Sequence, residues 1–155
     1  MTLPASTAPE TRPALPAALA LSCLQRVTLI VVTYNSAHCV PALAQGLAGL
    51  PHVVVVDNAS TDATRADVQR LLPTASLLAL PENRGFGVAN NAALERVGTE
   101  FALLLNPDCV TNAKQIAALV QQADAWPEAT LLVPQLLEAS GDLQVNYSWP
   151  RDAWA

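Results

Sequence analysis

The stretch that decides the fold is Val27-Thr-Leu-Ile-Val-Val-Thr33, followed at once by Tyr34-Asn35-Ser36. An unbroken, mostly β-branched apolar run of this length reads as a strand buried on both faces. The abrupt polar change marks where the strand leaves the core. The same grammar recurs downstream. Residues 53–56 are four valines that end in Asp57, 75–80 form a third apolar run, and 101–105 a fourth that ends in Asn106-Pro107-Asp108. A fifth short strand is expected over 129–133. Helical patterns fill about 38–49, 61–72, 87–98 and 111–124, with Pro51, Pro73 and Trp126-Pro127 as breaks between them. Strand and helix alternate four times before the last strand. This predicts an α/β domain with a mostly parallel sheet flanked by helices and right-handed crossovers.

In open sheets of this kind ligands bind beyond the carboxyl ends of the strands. The polar clusters fall there: Thr33-Tyr34-Asn35, Asp57-Asn58, Asn83-Arg84-Gly85 and Asn106-Pro107-Asp108. The opposite edge offers mainly Pro, Ala and Leu. Four polar connections at one edge are the main argument for a ligand site.

Working outward, the 155 residues suit one domain. Hydrophobic residues make up 52% and charged residues 14%, which excludes a disordered chain or a coiled coil. Thirteen acids against eight bases give a net charge of −5, so a basic track for nucleic acid is not expected. A small anionic ligand remains compatible, held by backbone N–H groups and a metal. Residues 1–26, with Pro4, Pro9, Pro13 and Pro16, read as a flexible leader with one short helical turn near 16–23. Cys23, Cys39 and Cys109 form no CxxC pair, so neither a disulfide framework nor a four-ligand zinc site is expected. They suit reducing cytoplasm. Neither a signal peptide nor a transmembrane segment is expected.

Each cluster has a structural alternative. Asp57 can end its strand or cap the next helix, but Ser60 and Thr61 already offer caps, with Asp62 expected in that helix's first turn. The surplus of polar groups favours a ligand, and the amide of Asn58 suits a base edge. Gly85-Phe86-Gly87 follows the third strand and resembles half of a dinucleotide fingerprint, while the first strand has no glycine turn. That position disfavours an NAD-dependent oxidoreductase. No GxxxxGK[ST] is present, so a P-loop is excluded. Asp108 can cap the helix over 111–124, although Thr111 and Asn112 lie closer. As a metal ligand it needs help, because one carboxylate holds Mg²⁺ or Mn²⁺ only if a ligand diphosphate and water complete the shell.

Together, Val31-Val-Thr-Tyr-Asn-Ser36, Val56-Asp-Asn-Ala-Ser-Thr-Asp62, Asn83-Arg-Gly-Phe-Gly-Val-Ala-Asn-Asn91 and Leu104-Leu-Asn-Pro-Asp108 resemble the amino-terminal half of an inverting family-2 glycosyltransferase with the GT-A fold. The similarity covers about 27–146 and is strongest to rhamnosyltransferase-like members of bacterial surface-polysaccharide synthesis. It includes an expected hairpin around Gly141-Asp142.

The resemblance implies a nucleoside-diphosphate-sugar site. Thr33, Tyr34 and Asn35 lie at the start of the nucleotide pocket, and Asp57 and Asn58 meet base and ribose. Asn83, Arg84 and Gly85 lie beside the phosphates. Asn106 and Asp108 occupy the family's DxD position, with Asp108 left as the metal residue. The implied reaction is displacement at the anomeric carbon with inversion, helped by an aspartate base on the acceptor side.

The 47 residues after Asp108 hold Asp124, Glu128, Glu138, Asp142 and Asp152, none in the context of that base. The chain therefore reads as a 27–155 donor-binding domain with an incomplete acceptor half, truncated on its carboxyl side. The alternative is a nucleotide-sugar-binding domain without transfer. The implied partners are the sugar nucleotide and a glycan or lipid-linked glycan acceptor. The implied location is the cytoplasm, including the inner face of the membrane. An unfinished sheet edge invites self-association. Trp149 and Trp154, in the last seven residues, suit a chain that packs against something further.

Overall fold

A computed structural model describes residues 16–138 and 140–144. The elements run α1 (Ala17–Leu24), β1 (Val27–Thr33), α2 (Val40–Leu47), β2 (Val53–Asp57), α3 (Thr64–Leu71), β3 (Ser76–Ala79), α4 (Phe86–Leu94), β4 (Phe101–Leu105) and α5 (Ala113–Ala125). The four strands form one parallel sheet in the order β3-β2-β1-β4. The two mostly β-branched runs take the middle places, and every residue of β1 and β2 is buried, Thr28, Thr33 and Asp57 included. β4, apolar throughout, takes an edge and leaves Ala102 and Leu104 exposed.

Alternation along β1 and β2 divides the core. Leu29, Val31, Val53 and Val55 face α1, α2, α3 and α5, where they meet Leu43, Leu47, Val68 and Ile116. Ile30, Val32, Val54 and Val56 face α4. That helix meets the sheet through Ala89 and Ala93, both fully buried and four residues apart on one face.

Two expectations change. The run over 129–133 forms no strand. Residues 131–136 are irregular, and Leu131 and Val133 are each 79% exposed. Apolar composition makes a strand only where a neighbouring ladder takes up its backbone groups, and here β4 remains the outer strand of a four-stranded sheet. The expected turn near 16–23 is a two-turn helix whose Cys23 and Leu24 enter the core, with α1 lying on α5. Helix α1 thus contributes to the core ahead of β1. The hairpin around Gly141 does form. Leu137 bridges Leu143 in antiparallel sense, and Gly141 takes φ +90°. Trp149, Trp154 and Asp152 lie outside the described residues.

The amino edge of the sheet is tied by Arg26. Its guanidinium donates to Glu100 at 2.8 Å and to both oxygens of Asp124 at 2.6 and 2.9 Å, and it lies 5.2 Å from the centre of the Phe101 ring. Among the described residues no helix is long and apolar enough to cross a membrane.

Candidate nucleotide site at the carboxyl edge of the sheet

Register brings the strand ends together. Thr33 pairs with Asp57, and Asp57 with Ala79. The chain then crosses between strands: Asn58 N–H donates to Thr33 O at 2.8 Å, Leu80 N–H to Asp57 O at 2.8 Å, and Thr33 Oγ1 to Val56 O at 3.2 Å.

Beyond β1 the loop is stitched to the loop after β2. Asn35, at φ +49°, donates its N–H to Ser60 Oγ at 3.0 Å and accepts from Thr61 N–H at 2.9 Å. Ser36 N–H donates to Thr64 Oγ1 at 2.7 Å. Asp62 accepts from Ala37 N–H at 3.2 Å, from Thr64 N–H at 2.9 Å and from the Thr64 hydroxyl. Those bonds to Thr64 and Ala37 hold the Asp62 carboxyl below its usual range. The expected caps therefore have other roles. Ser60 and Thr61 bond Asn35, and Asp62 precedes α3 rather than lying in its first turn. Asn35 is spent on this stitch, with its side chain turned to Thr61.

Asp57 is fully buried. Its Oδ2 accepts from Arg65 Nη2 at 3.0 Å and Nε at 3.3 Å, while Oδ1 is buried with no partner. Arg65 escaped the sequence reading. The available signal was its place in the first turn of α3, where the helix dipole disfavours a cation unless a specific anion holds it.

Asn58 is also buried. Its amide nitrogen donates to Asn83 Oδ1 at 2.8 Å, and its oxygen accepts from Arg84 N–H at 3.2 Å. Asn83 Oδ1 also accepts from Gly85 N–H at 3.0 Å. Asn58 thus holds the 83–85 loop against the end of β2. Gly85 turns at φ +85°, a conformation open to glycine at little cost, and α4 starts immediately after it without a side-chain cap. Asn83, Arg84 and Gly85 are exposed. Asn90, buried on α4, bonds Phe86 O at 2.9 Å and leaves its own oxygen without a partner.

After β4, Asn106, Pro107 and Asp108 meet the β1–α2 loop. With Tyr34, Asn35, Ser36, His38 and Cys39 they line a cleft of about 260 Å³. The first and fourth clusters therefore share one cleft. Thr33, Asp57, Asn58 and 83–85 do not line it; they lie at the adjoining ends of β1, β2 and β3. A larger cavity of about 500 Å³ lies elsewhere, between the amino half of β4, α5 and residues 126–134, away from every polar cluster.

Asp108 is exposed and does not cap α5. Asn112 does that through a capping box: its Oδ1 accepts from Lys114 and Gln115 N–H at 3.0 and 3.1 Å, and Gln115 Oε1 accepts from Asn112 N–H at 3.0 Å. Burial, and then the charge of Asp108, push the Cys39 and Cys109 thiols up, which disfavours the thiolate at either. Among the described residues no three His, Cys, Asp or Glu side chains converge as a metal site. The donor set here is one exposed carboxylate beside a cleft. It fits a hard divalent cation only with a ligand's oxygens.

An α/β sheet with polar loops gathered at its carboxyl edge is the architecture of nucleotide-binding enzymes. Residues 28–147 match the family model described as glycosyl transferase family 2, and the chain belongs to that family. It is 28% identical over 162 residues to the N-acetylglucosaminyl-diphospho-decaprenol L-rhamnosyltransferase of Mycobacterium tuberculosis (strain ATCC 25618 / H37Rv), covering 81% of this chain and 52% of that protein. To the succinoglycan biosynthesis protein ExoO of Rhizobium meliloti (strain 1021) it is 36% identical over 105 residues, covering 64% of this chain and 30% of the other. The crystal structure of S. aureus TarS 1–349 in complex with UDP superposes with a TM-score of 0.58 at 29% identity, covering 64% of this chain and 32% of that one. The chain spans about half the length, or less, of the curated relatives it matches.

Proposed function

We propose that this chain carries the donor site of a glycosyltransferase that moves a sugar from a nucleoside-diphosphate sugar to an acceptor hydroxyl with inversion. The observation behind this reading is the convergence of Tyr34, Asn106 and an uncommitted Asp108 on one cleft at the carboxyl edge, whose wall Asn35 braces through Ser60 and Thr61. The adjoining ends of β2 and β3 present Asp57, Asn58 and Asn83-Arg84-Gly85.

The parts divide the ligand by chemistry. Oδ1 of Asp57 is an acceptor without a donor, and the N–H of a base or the O–H of a ribose supplies one. That oxygen is sealed, so the ligand reaches it only as the surrounding loops open. The uncapped start of α4, behind Asn83 to Gly85, directs backbone N–H groups to the edge where a diphosphate would lie. Asp108 would hold Mg²⁺ or Mn²⁺ together with that diphosphate, and such an ion offsets the charge of the leaving group. In the transfer itself the acceptor oxygen bonds to the anomeric carbon as the bond to the diphosphate breaks. The acceptor's proton passes to a base. Asp124 does not supply that base, because Arg26 holds it at the opposite edge.

The rhamnosyltransferase relative supports a rhamnosyl donor and a glycan or lipid-linked glycan acceptor. A second reading is sugar-nucleotide binding without transfer; among the described residues Asp108 is the one carboxylate that lines the cleft, and it is assigned to the metal rather than to a base.

Thermal unfolding with UDP, dTDP, CDP, GDP or ADP, each with and without Mn²⁺ or Mg²⁺, tests the site against NAD. We expect metal-dependent stabilisation by at least one nucleoside diphosphate, lost in Asp108→Ala. Stabilisation by NAD alone would sink both readings. Released nucleoside diphosphate, measured with sugar donor and acceptor present, separates transfer from binding.

A further inference from the structure

We infer that Arg65 is the positioning residue of the nucleotide site, acting through Asp57 rather than on the ligand; the inference rests on the donor-site reading above. Arg65 donates from Nη2 at 3.0 Å and from Nε at 3.3 Å to the same oxygen, Oδ2. Two donors on one carboxylate oxygen fix the plane of the carboxylate, and so the direction of the other oxygen. That other oxygen, Oδ1, is buried and has no partner within the protein.

A buried carboxylate normally spends both oxygens, because an unmade hydrogen bond in the interior costs free energy. Here one oxygen is saturated and the other left open. The arrangement keeps an acceptor aimed for a donor that the protein does not contain. Neighbouring groups do not take over this role. Asn58 is committed to Asn83 and Arg84, and Thr33 Oγ1 to Val56 O.

The position of Arg65 carries the same message. It lies in the first turn of α3, against the helix dipole, with its side chain 47% exposed. The fold gains little there from an arginine except the hold on Asp57. With Arg65 removed, the carboxylate is free to rotate and to lose its charge partner, and the open acceptor is no longer aimed.

The test is a calorimetric titration of the whole chain with UDP, dTDP, CDP, GDP and ADP in Mn²⁺, with Mn²⁺-pyrophosphate as a probe that lacks base and ribose. We expect Arg65→Ala to weaken the nucleoside diphosphates bound by the parent chain at least tenfold while pyrophosphate changes less than twofold. Arg65→Lys should restore most of the loss. In an Asp57→Asn background, Arg65→Ala should add little further loss. Should Arg65→Ala fail to fold, Arg65→Lys and the Asp57→Asn pair carry the comparison, with the unfolding temperature of each variant measured alongside.

Parent-like nucleotide affinity in Arg65→Ala would overturn the inference. An equal loss of pyrophosphate, or an undiminished effect in the Asp57→Asn background, would do the same. A parent chain that binds none of the five nucleotides instead refutes the donor-site reading itself, and the role of Arg65 falls with it.

Discussion

Among the described residues, two hold the left-handed region without being glycine: Asn35 at φ +49° and Ala59 at φ +65°. Asn35 is compensated by its bonds to Ser60 and Thr61. Ala59 carries a Cβ in that conformation without a comparable side-chain bond. Ala59→Gly should therefore raise stability by about 0.5–1 kcal/mol, read from urea denaturation; a lower midpoint would contradict this. Asp62 makes a pH prediction. Its carboxyl is depressed in the folded chain by Thr64 and Ala37. The stability it adds is present above its ordinary, unfolded value and is lost as pH falls through the lower folded one. The unfolding temperatures of the parent and Asp62→Asn should thus differ near neutrality and converge in acid below the usual aspartate range.

Among the elements, α2 and the loop after β4 meet at Gly46. A Cβ built there would lie 2.4 Å from the Thr111 carbonyl oxygen, a backbone atom that cannot swing aside. Gly46→Ala improves helix propensity by about 1 kcal/mol but forces the 106–112 loop outward. Overpacking of this kind costs about 1–3 kcal/mol. We expect net destabilisation in urea and weaker Mn²⁺-dependent nucleotide binding, because that loop carries Asp108. Asn112→Ala removes the side-chain acceptor half of the capping box on α5, leaving the backbone N–H bond to Gln115, and should cost about 1 kcal/mol. Propensity and spacing foretold four strands and four helices close to where they form. They failed at 129–133, where the apolar run was visible but the absence of a ladder partner was not.

At the scale of the whole molecule, Arg26 joins three distant parts of the chain: the start of β1, Glu100 before β4 and Asp124 near the end of α5. Hydrogen bonds from Arg26 hold the Glu100 and Asp124 carboxyls below their usual range and raise the guanidinium further. Their contribution is present above the ordinary carboxylate values and declines as pH falls through the folded ones. Arg26→Gln should lower the unfolding temperature near neutrality, with a smaller loss in high salt because the cluster is exposed. An unchanged melting curve at low salt would remove this tie from the account. Its use of Asp124 also withdraws one acidic residue from the search for a catalytic base.

The sequence by itself determined the parallel α/β layering. Uninterrupted valine and leucine runs have no low-energy place except between two layers of helices. It also determined that the polar residues gather at one edge, because they end the strands. Only the tertiary structure decided which of those residues are available to a ligand. Asn35, Asn58, Ser60 and Thr61 are consumed in holding loops together, Asn112 frees Asp108, and Arg65 leaves one oxygen of Asp57 open. Hydrogen-bond partners are chosen by direction and distance across loops far apart in the chain, and residue type and spacing do not encode that choice.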